Sequence, residues 1–153
     1  MRIRLSRTIS GAALTIVLAA VSTFGSQRHQ ALNGTWTLVP TKSDFAGQAV
    51  FQTGTVTIDD RQGNITVARH FTYDGAAETI FYSFSTDGRE NATIETGKDF
   101  KSKAKWEGDV LKVTTTRGGV TTVERYSLAA DGTLLLKVEV PEHRPITLVL
   151  MQK

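Results

Sequence analysis

Cysteine is absent from the 153 residues. That removes disulfides, thiolate metal sites, cysteine nucleophiles and a lipid-bearing leader cysteine in one step. A chain without such staples must be held by a hydrophobic core, and roughly 120 residues bury enough surface on folding to do so. Histidine is scarce: His29, His70 and His143 are the three. None stands at metal-ligand spacing from another, so the sequence offers no metal site and implies no cofactor. There is no Gly-x-Ser-x-Gly turn, no phosphate-binding glycine loop and no strand–helix alternation to carry one. No ten-residue window beyond the N-terminal stretch has helical period.

An excess of charge is also missing once the N-terminus is set apart. Arg2, Arg4 and Arg7 precede Ile9 to Val21, a run with no charge at all. A basic segment before a short apolar one is the pattern of a secretory signal peptide, here residues 1–25. The run is too short, and too interrupted by Ser10 and Thr15, to span a bilayer. Small residues at Ala20-Val21-Ser22 suit cleavage after Ser22, and Gly25 is nearly as suitable. The full chain has 18 basic and 15 acidic residues, so removing three arginines leaves a neutral remainder. Such a remainder gives no electrostatic case for nucleic acid, and no membrane insertion is expected after cleavage. The expected location is secreted or periplasmic. Mass spectrometry of the exported protein should show a new N-terminus between residues 23 and 27 and a loss of about 2.5 kDa. An intact Arg2 in a membrane-bound product would overturn that.

What remains divides into a linker, residues 26–31, and one domain, residues 32–153. The domain is rich in threonine and alternates with period two between regularly spaced turn residues. Gln62-Gly63, Asp74-Gly75, Asp87-Gly88, Gly97-Lys98, Gly108-Asp109, Gly118-Gly119, Asp131-Gly132 and Pro141 to Pro145 mark the turns. Between them lie strand candidates at 34–39, 54–60, 64–73, 78–86, 90–96, 100–107, 110–116, 120–129, 133–140 and 145–152. Short links pair each strand with its sequence neighbour, and closing such a meander removes its exposed edges. The expected fold is therefore all-β, an antiparallel up-and-down barrel of eight to ten strands. Residues 40–53 form one longer link, where Ser43 or Asp44 could cap a helical turn and Phe45 and Phe51 could cover one mouth.

The faces are informative. In "FKSKAKW", residues 100–106, the lysines share one side, which must be solvent. Small Ser102 and Ala104 lie mid-strand on the other, as a hollow interior would have them, although a large side chain from elsewhere could fill the gap. Leu134, Leu136, Val138 and Val140 face inward, and pairing Val140 with Ile146 would set Leu136 against Leu150. That register places Leu135 opposite Met151 outside, near Val149, as a candidate homodimer contact.

Two arginines fall on inward faces. Arg69 is in line with Ile65, Val67, Phe71 and Tyr73. Arg125 shares a face with Val123, while Glu124, Tyr126 and Leu128 form the rival inner set. A buried arginine must be paired or hydrogen-bonded. A ligand carboxylate, an internal acid such as Glu124, or a rim position from which the side chain reaches water would each serve. Counting only Ile80, Tyr82, Phe84, Leu111, Val113, Leu134 and Leu136 as firmly inward leaves the Tyr82 hydroxyl as the one polar neighbour. On that count an acidic ligand becomes the expected partner.

Gly34-Thr35-Trp36, within "NGTWTLV", resembles the Gly-x-Trp signature of the lipocalin (calycin) superfamily, and the strand layout resembles secreted bacterial lipocalin-like proteins. The resemblance implies that Gly34 allows close backbone approach and that Trp36 plugs the closed end. It also implies a basic residue near Trp36 from the last strand, for which Lys153 is the one candidate. Ten strands suit the fatty-acid-binding relatives, which hold a carboxylate with Arg-x-Tyr on a late strand; here Arg125 and Tyr126 are adjacent and face opposite ways.

These readings converge on a secreted protein that holds a small apolar or amphipathic ligand, with a carboxylate head as one option. The candidate ligand contacts are Arg69, Tyr82, Ser102, Ala104 and Arg125. The alternative is a filled-core interaction domain. An isomerase or hydrolase using Tyr82 or Tyr73 with Arg69 is a further reading, but no catalytic set is assigned.

Overall fold

Alternation over short segments, each stopped by a turn residue, produces strands wherever it occurs in this chain. The computed structural model describes residues 29–95 and 98–153. The proposed leader and Gly97 lie outside the described residues. All ten expected strands form: β1 (Gly34–Leu38), β2 (Thr53–Arg61), β3 (Asn64–Tyr73), β4 (Ala76–Ser85), β5 (Asn91–Glu95), β6 (Lys98–Glu107), β7 (Val110–Arg117), β8 (Val120–Leu128), β9 (Leu134–Glu139) and β10 (Ile146–Gln152).

They make one antiparallel sheet in the order β4-β3-β2-β1-β10-β9-β8-β7-β6-β5. Every strand pairs with its sequence neighbour except at β4/β5, and β1 pairs with β10 to bring the ends of the meander together. The seam between β4 and β5 is bridged from the loop that joins them. Asp87 pairs with Lys105 of β6, and the Gly88 amide donates to the Ala104 carbonyl at 3.1 Å. The result is a nearly closed up-and-down barrel.

The hairpin turns follow from local chemistry. At Asp74-Gly75 both residues have positive φ, +46° and +73°, which matches the right-handed twist of the strands they join. Asp tolerates this region better than most residues, and glycine has no Cβ to oppose it. Residues 40–53 hold one short 3-10 turn, Pro40–Lys42. Ser43 sits at its C-terminal end, not its start, where its hydroxyl donates to the Val39 carbonyl and accepts from the Val149 amide. Phe45 is buried, and Phe51 stacks on Phe71 with ring centroids 4.8 Å apart, so this link does cover the mouth.

The β9–β10 register differs from expectation by two residues. Ile146 pairs with Val138, Leu148 with Leu136 and Leu150 with Leu134. Val140 belongs to the turn, whose Glu142 adopts φ +64°. A shift of two keeps every side chain on its expected face, so the core is the same. Outside, Leu135 therefore meets Val149, while Met151 pairs with Thr37 of β1 and is exposed.

The interior has two unlike halves. Toward the end where β1 begins, Trp36, Ile58, Ile65, Phe84, Leu111, Leu134 and Leu150 are all almost completely buried in one cluster. Trp36 is 2% exposed, and its indole N–H donates to the Leu32 carbonyl at 2.9 Å. The segment before β1 contributes here too: His29 of the linker stacks on Trp106 at 3.8 Å, and Leu32, the first residue of the domain, is buried. Gly34 has φ +134°, and a Cβ there would come within 3.0 Å of the Gln152 side chain. This end is solid.

Candidate ligand cavity

The other half is open. A cavity of about 370 Å³ lies inside the mouth, walled by Phe51, Phe71, Ile80, Val138, Ile146 and Leu148 and floored by polar groups. One glycine shapes this wall. Gly54 faces inward opposite Phe71, and a Cβ there would lie only 2.2 Å from the phenyl ring. The missing side chain lets Phe71 lie flat on β2 and present its other face to Phe51.

The floor is a buried polar network drawn from β3, β4 and β8. Arg69 Nη1 lies 2.7 Å from Glu124 Oε1, and Arg69 Nη2 donates to the Tyr82 hydroxyl at 3.2 Å. The Arg69 guanidinium also lies over the Tyr82 ring, 5.4 Å from its centroid. Tyr126, completely buried, donates its hydroxyl to Glu124 Oε2 at 2.7 Å. Each carboxylate oxygen of Glu124 thus has a donor, and the two charges neutralise each other away from water. Arg69 Nε is buried and has no hydrogen-bond partner among the described residues.

The electrostatics follow from burial and pairing. Burial is the largest influence on Arg69 and works to lower its pKa, but the Glu124 carboxylate, with Tyr126 and Tyr82, together outweighs it and holds the guanidinium above its usual range. Burial raises the pKa of Tyr82, with Arg69 opposing. Burial next to Glu124 pushes Tyr126 well above the normal phenol value. All three therefore keep their neutral-pH forms: a cation and two hydroxyl donors.

Sequence-expected positions divide cleanly against this geometry. Arg69 and Tyr82 both line the cavity. Arg69, however, does not depend on a ligand for its counter-charge, because Glu124 supplies it. Ser102 and Ala104 face inward and are buried, at 3% and 0% exposure, but neither belongs to the cavity wall. Ser102 does pair with Thr115, which lines it. Arg125 is on the outside. Tyr126 pairs with Leu111 and Leu136 in the core, which obliges its neighbour Arg125 to face solvent, where it forms an ion pair with Glu139. There it stands in register with Lys105, Lys112 and Lys137 across β6–β9. Two shared acids offset this row: Glu107 serves both Lys105 and Lys112, and Glu139 serves both Arg125 and Lys137. Tyr73 is exposed at the mouth against Phe51 and takes no part in the floor. Lys153 reaches the β1 end, its amide donating to the Thr35 carbonyl, but its side chain is exposed.

Glu124, Thr115, Thr122, Val140, Phe51 and, at the mouth, Glu78 and Arg117 complete the lining. Glu124, as part of the rival inner face of β8, Phe51, as an expected cover of the mouth, and Val140, as an expected inward residue, carry sequence clues; the others carry none. Among the described residues no three His, Asp or Glu side chains converge as metal ligands.

Comparison with solved structures decides the architecture. A secretory abundant heat soluble protein from Ramazzottius varieornatus superposes with TM-score 0.61 at 11% identity, covering 80% of this chain and 96% of that one. A Schistosoma mansoni fatty acid binding protein in complex with arachidonic acid gives 0.58 at 16% identity, covering 82% and 98%. Human cRBP IV gives 0.55 at 17% identity, covering 80% and 98%. The fold is a nearly closed antiparallel up-and-down barrel like that of the fatty acid binding protein. At these identities the likeness is one of fold. No protein-family model matches the chain, and no curated protein matches it in sequence. Within this barrel type the ten strands, the terminal β1–β10 pairing and the mouth-half cavity are one arrangement, with Trp36 at the opposite end from the opening.

Proposed function

We propose that this protein is an exported binding protein that holds one small apolar or amphipathic molecule in the mouth half of its barrel. The observation that carries this reading is the cavity itself. Apolar walls with a few convergent polar groups at the base form the usual composition of a small-molecule site, and about 370 Å³ is near the lower end of the usual size range. The fatty acid binding protein that shares the fold is described with arachidonic acid bound, which supports the use of such a barrel interior for an apolar chain. The N-terminal segment, with its arginines and uncharged run, supports export.

Delipidated protein should take up a neutral solvatochromic dye saturably at micromolar concentration, with a blue shift in dye emission. Ile80→Trp, which fills the cavity from its wall, should abolish that uptake while the fold is kept. Dye uptake unchanged by Ile80→Trp would place binding elsewhere and sink the proposal.

A further inference from the structure

Resting on that reading, we infer that the cavity selects an uncharged oxygen head group, an alcohol, aldehyde or ketone on a short apolar tail, and discriminates against carboxylates. The decisive feature is that Arg69, the one buried cation among the described residues, already has its anion. Arg69 and Glu124 are 2.7 Å apart and only 8% and 3% exposed, and Tyr126 occupies the second carboxylate oxygen.

An entering carboxylate would put two anions beside one guanidinium in a site shielded from water. It would have to displace Glu124, stranding that group without a counter-charge, or remain unpaired itself; both are unfavourable for a buried ion. An ammonium head would instead face Arg69, with both Glu124 oxygens already engaged. The mouth adds no bias of either sign, because the lining there holds one acid, Glu78, and one base, Arg117. A neutral oxygen avoids these conflicts. It can meet the polar floor that Arg69 and Tyr82 present to the cavity without bringing a second charge. Above it, Phe51, Phe71, Ile80, Val138, Ile146 and Leu148 leave room for a modest hydrocarbon tail.

The test displaces the neutral dye from delipidated wild-type protein at neutral pH with four probes of one chain length: 1-octanol, octanal, octanoate and octylamine. Octanol and octanal should displace it at concentrations at least tenfold below those needed for octanoate or octylamine. Octanoate affinity should then rise as the pH falls toward its own pKa, because the protonated acid is an uncharged head, while octanol affinity stays flat. In Glu124→Gln, which frees the Arg69 charge with little change of shape, octanoate should gain at least tenfold and overtake octanol. Octanoate binding to wild type as tightly as octanol overturns this inference and leaves the binding proposal standing. Failure of all four probes, and of the dye, overturns the binding proposal and this inference with it. Should Glu124→Gln not fold, the wild-type ranking and its pH profile decide the matter alone.

Discussion

Glu124→Leu alone should lower the stability of the barrel by about 3–5 kcal/mol, because it leaves the Arg69 guanidinium buried without its counter-ion. Arg69 is 8% exposed and stands at the cavity floor, so it cannot recover by moving into water without leaving β3's inner face. The companion double variant, Arg69→Met with Glu124→Leu, should regain most of that loss. Removing both charges also removes both desolvation costs, and well-packed apolar replacements of buried ion pairs are often neutral or better. Denaturant unfolding of wild type, the two single variants and the double variant gives the coupling directly. Additive losses in the cycle would mean that Arg69 and Glu124 act independently, contrary to the 2.7 Å contact. Tyr126 makes the prediction stricter. Its hydroxyl donates to Glu124 and would lose its acceptor in Glu124→Leu, adding an unsatisfied buried donor to the cost.

Trp36→Ala should cost about 3–5 kcal/mol, the range for a buried aromatic side chain removed from a packed core. The indole is 2% exposed, and its N–H is bonded to the Leu32 carbonyl, so truncation leaves both a void and an unpaired acceptor. Trp36 and Trp106 are the two tryptophans, and Trp106 is partly buried under His29, so emission should be blue-shifted in wild type. In Trp106→Phe, the remaining emission should stay blue and come from Trp36 alone. A negligible change in the unfolding midpoint of Trp36→Ala would show that the solid end does not depend on its plug. Leu32 should share the effect: it forms part of the same cluster from outside the strands, so the segment before β1 is a working part of the core.

The contrast between what was legible in the sequence and what was not has a simple geometric origin. Alternation and turn residues report on a strand and its immediate neighbour, and all ten strands, the two faces of β6 and the burial of Arg69 were readable from them. A period-two pattern, however, is unchanged by a slip of two residues. The β9–β10 pattern therefore could not distinguish Val140 opposite Ile146 from Val138 opposite Ile146. Nor does alternation say which inward residues meet across the lumen. Arg69 on β3 and Glu124 on β8 are separated by several strands in the sheet, and closure of the barrel is what brings them together. On β8 two alternations competed. The pairing of Tyr126 with Leu111 and Leu136 settles it, placing Arg125 outside. Small Ser102 and Ala104 do mark a buried inward face of β6, with Ser102 opposite Thr115 of the cavity lining, but alternation alone does not say which other side chains fill the space before them.

The pairing of β1 with β10 sets the order of events in folding. Trp36 lies opposite Gln152, so the first strand finds its second neighbour only after the last strand has been made. Hairpins such as β2–β3 and β6–β7 can form early from local contacts, but the ring cannot close until almost the whole domain is available. Closing so long a loop is entropically costly before the contacts that reward it exist, which makes such topologies slow to fold. A chain still emerging from synthesis therefore carries an open sheet with two unpaired edges, and those edges stay available to other strands until β10 is complete.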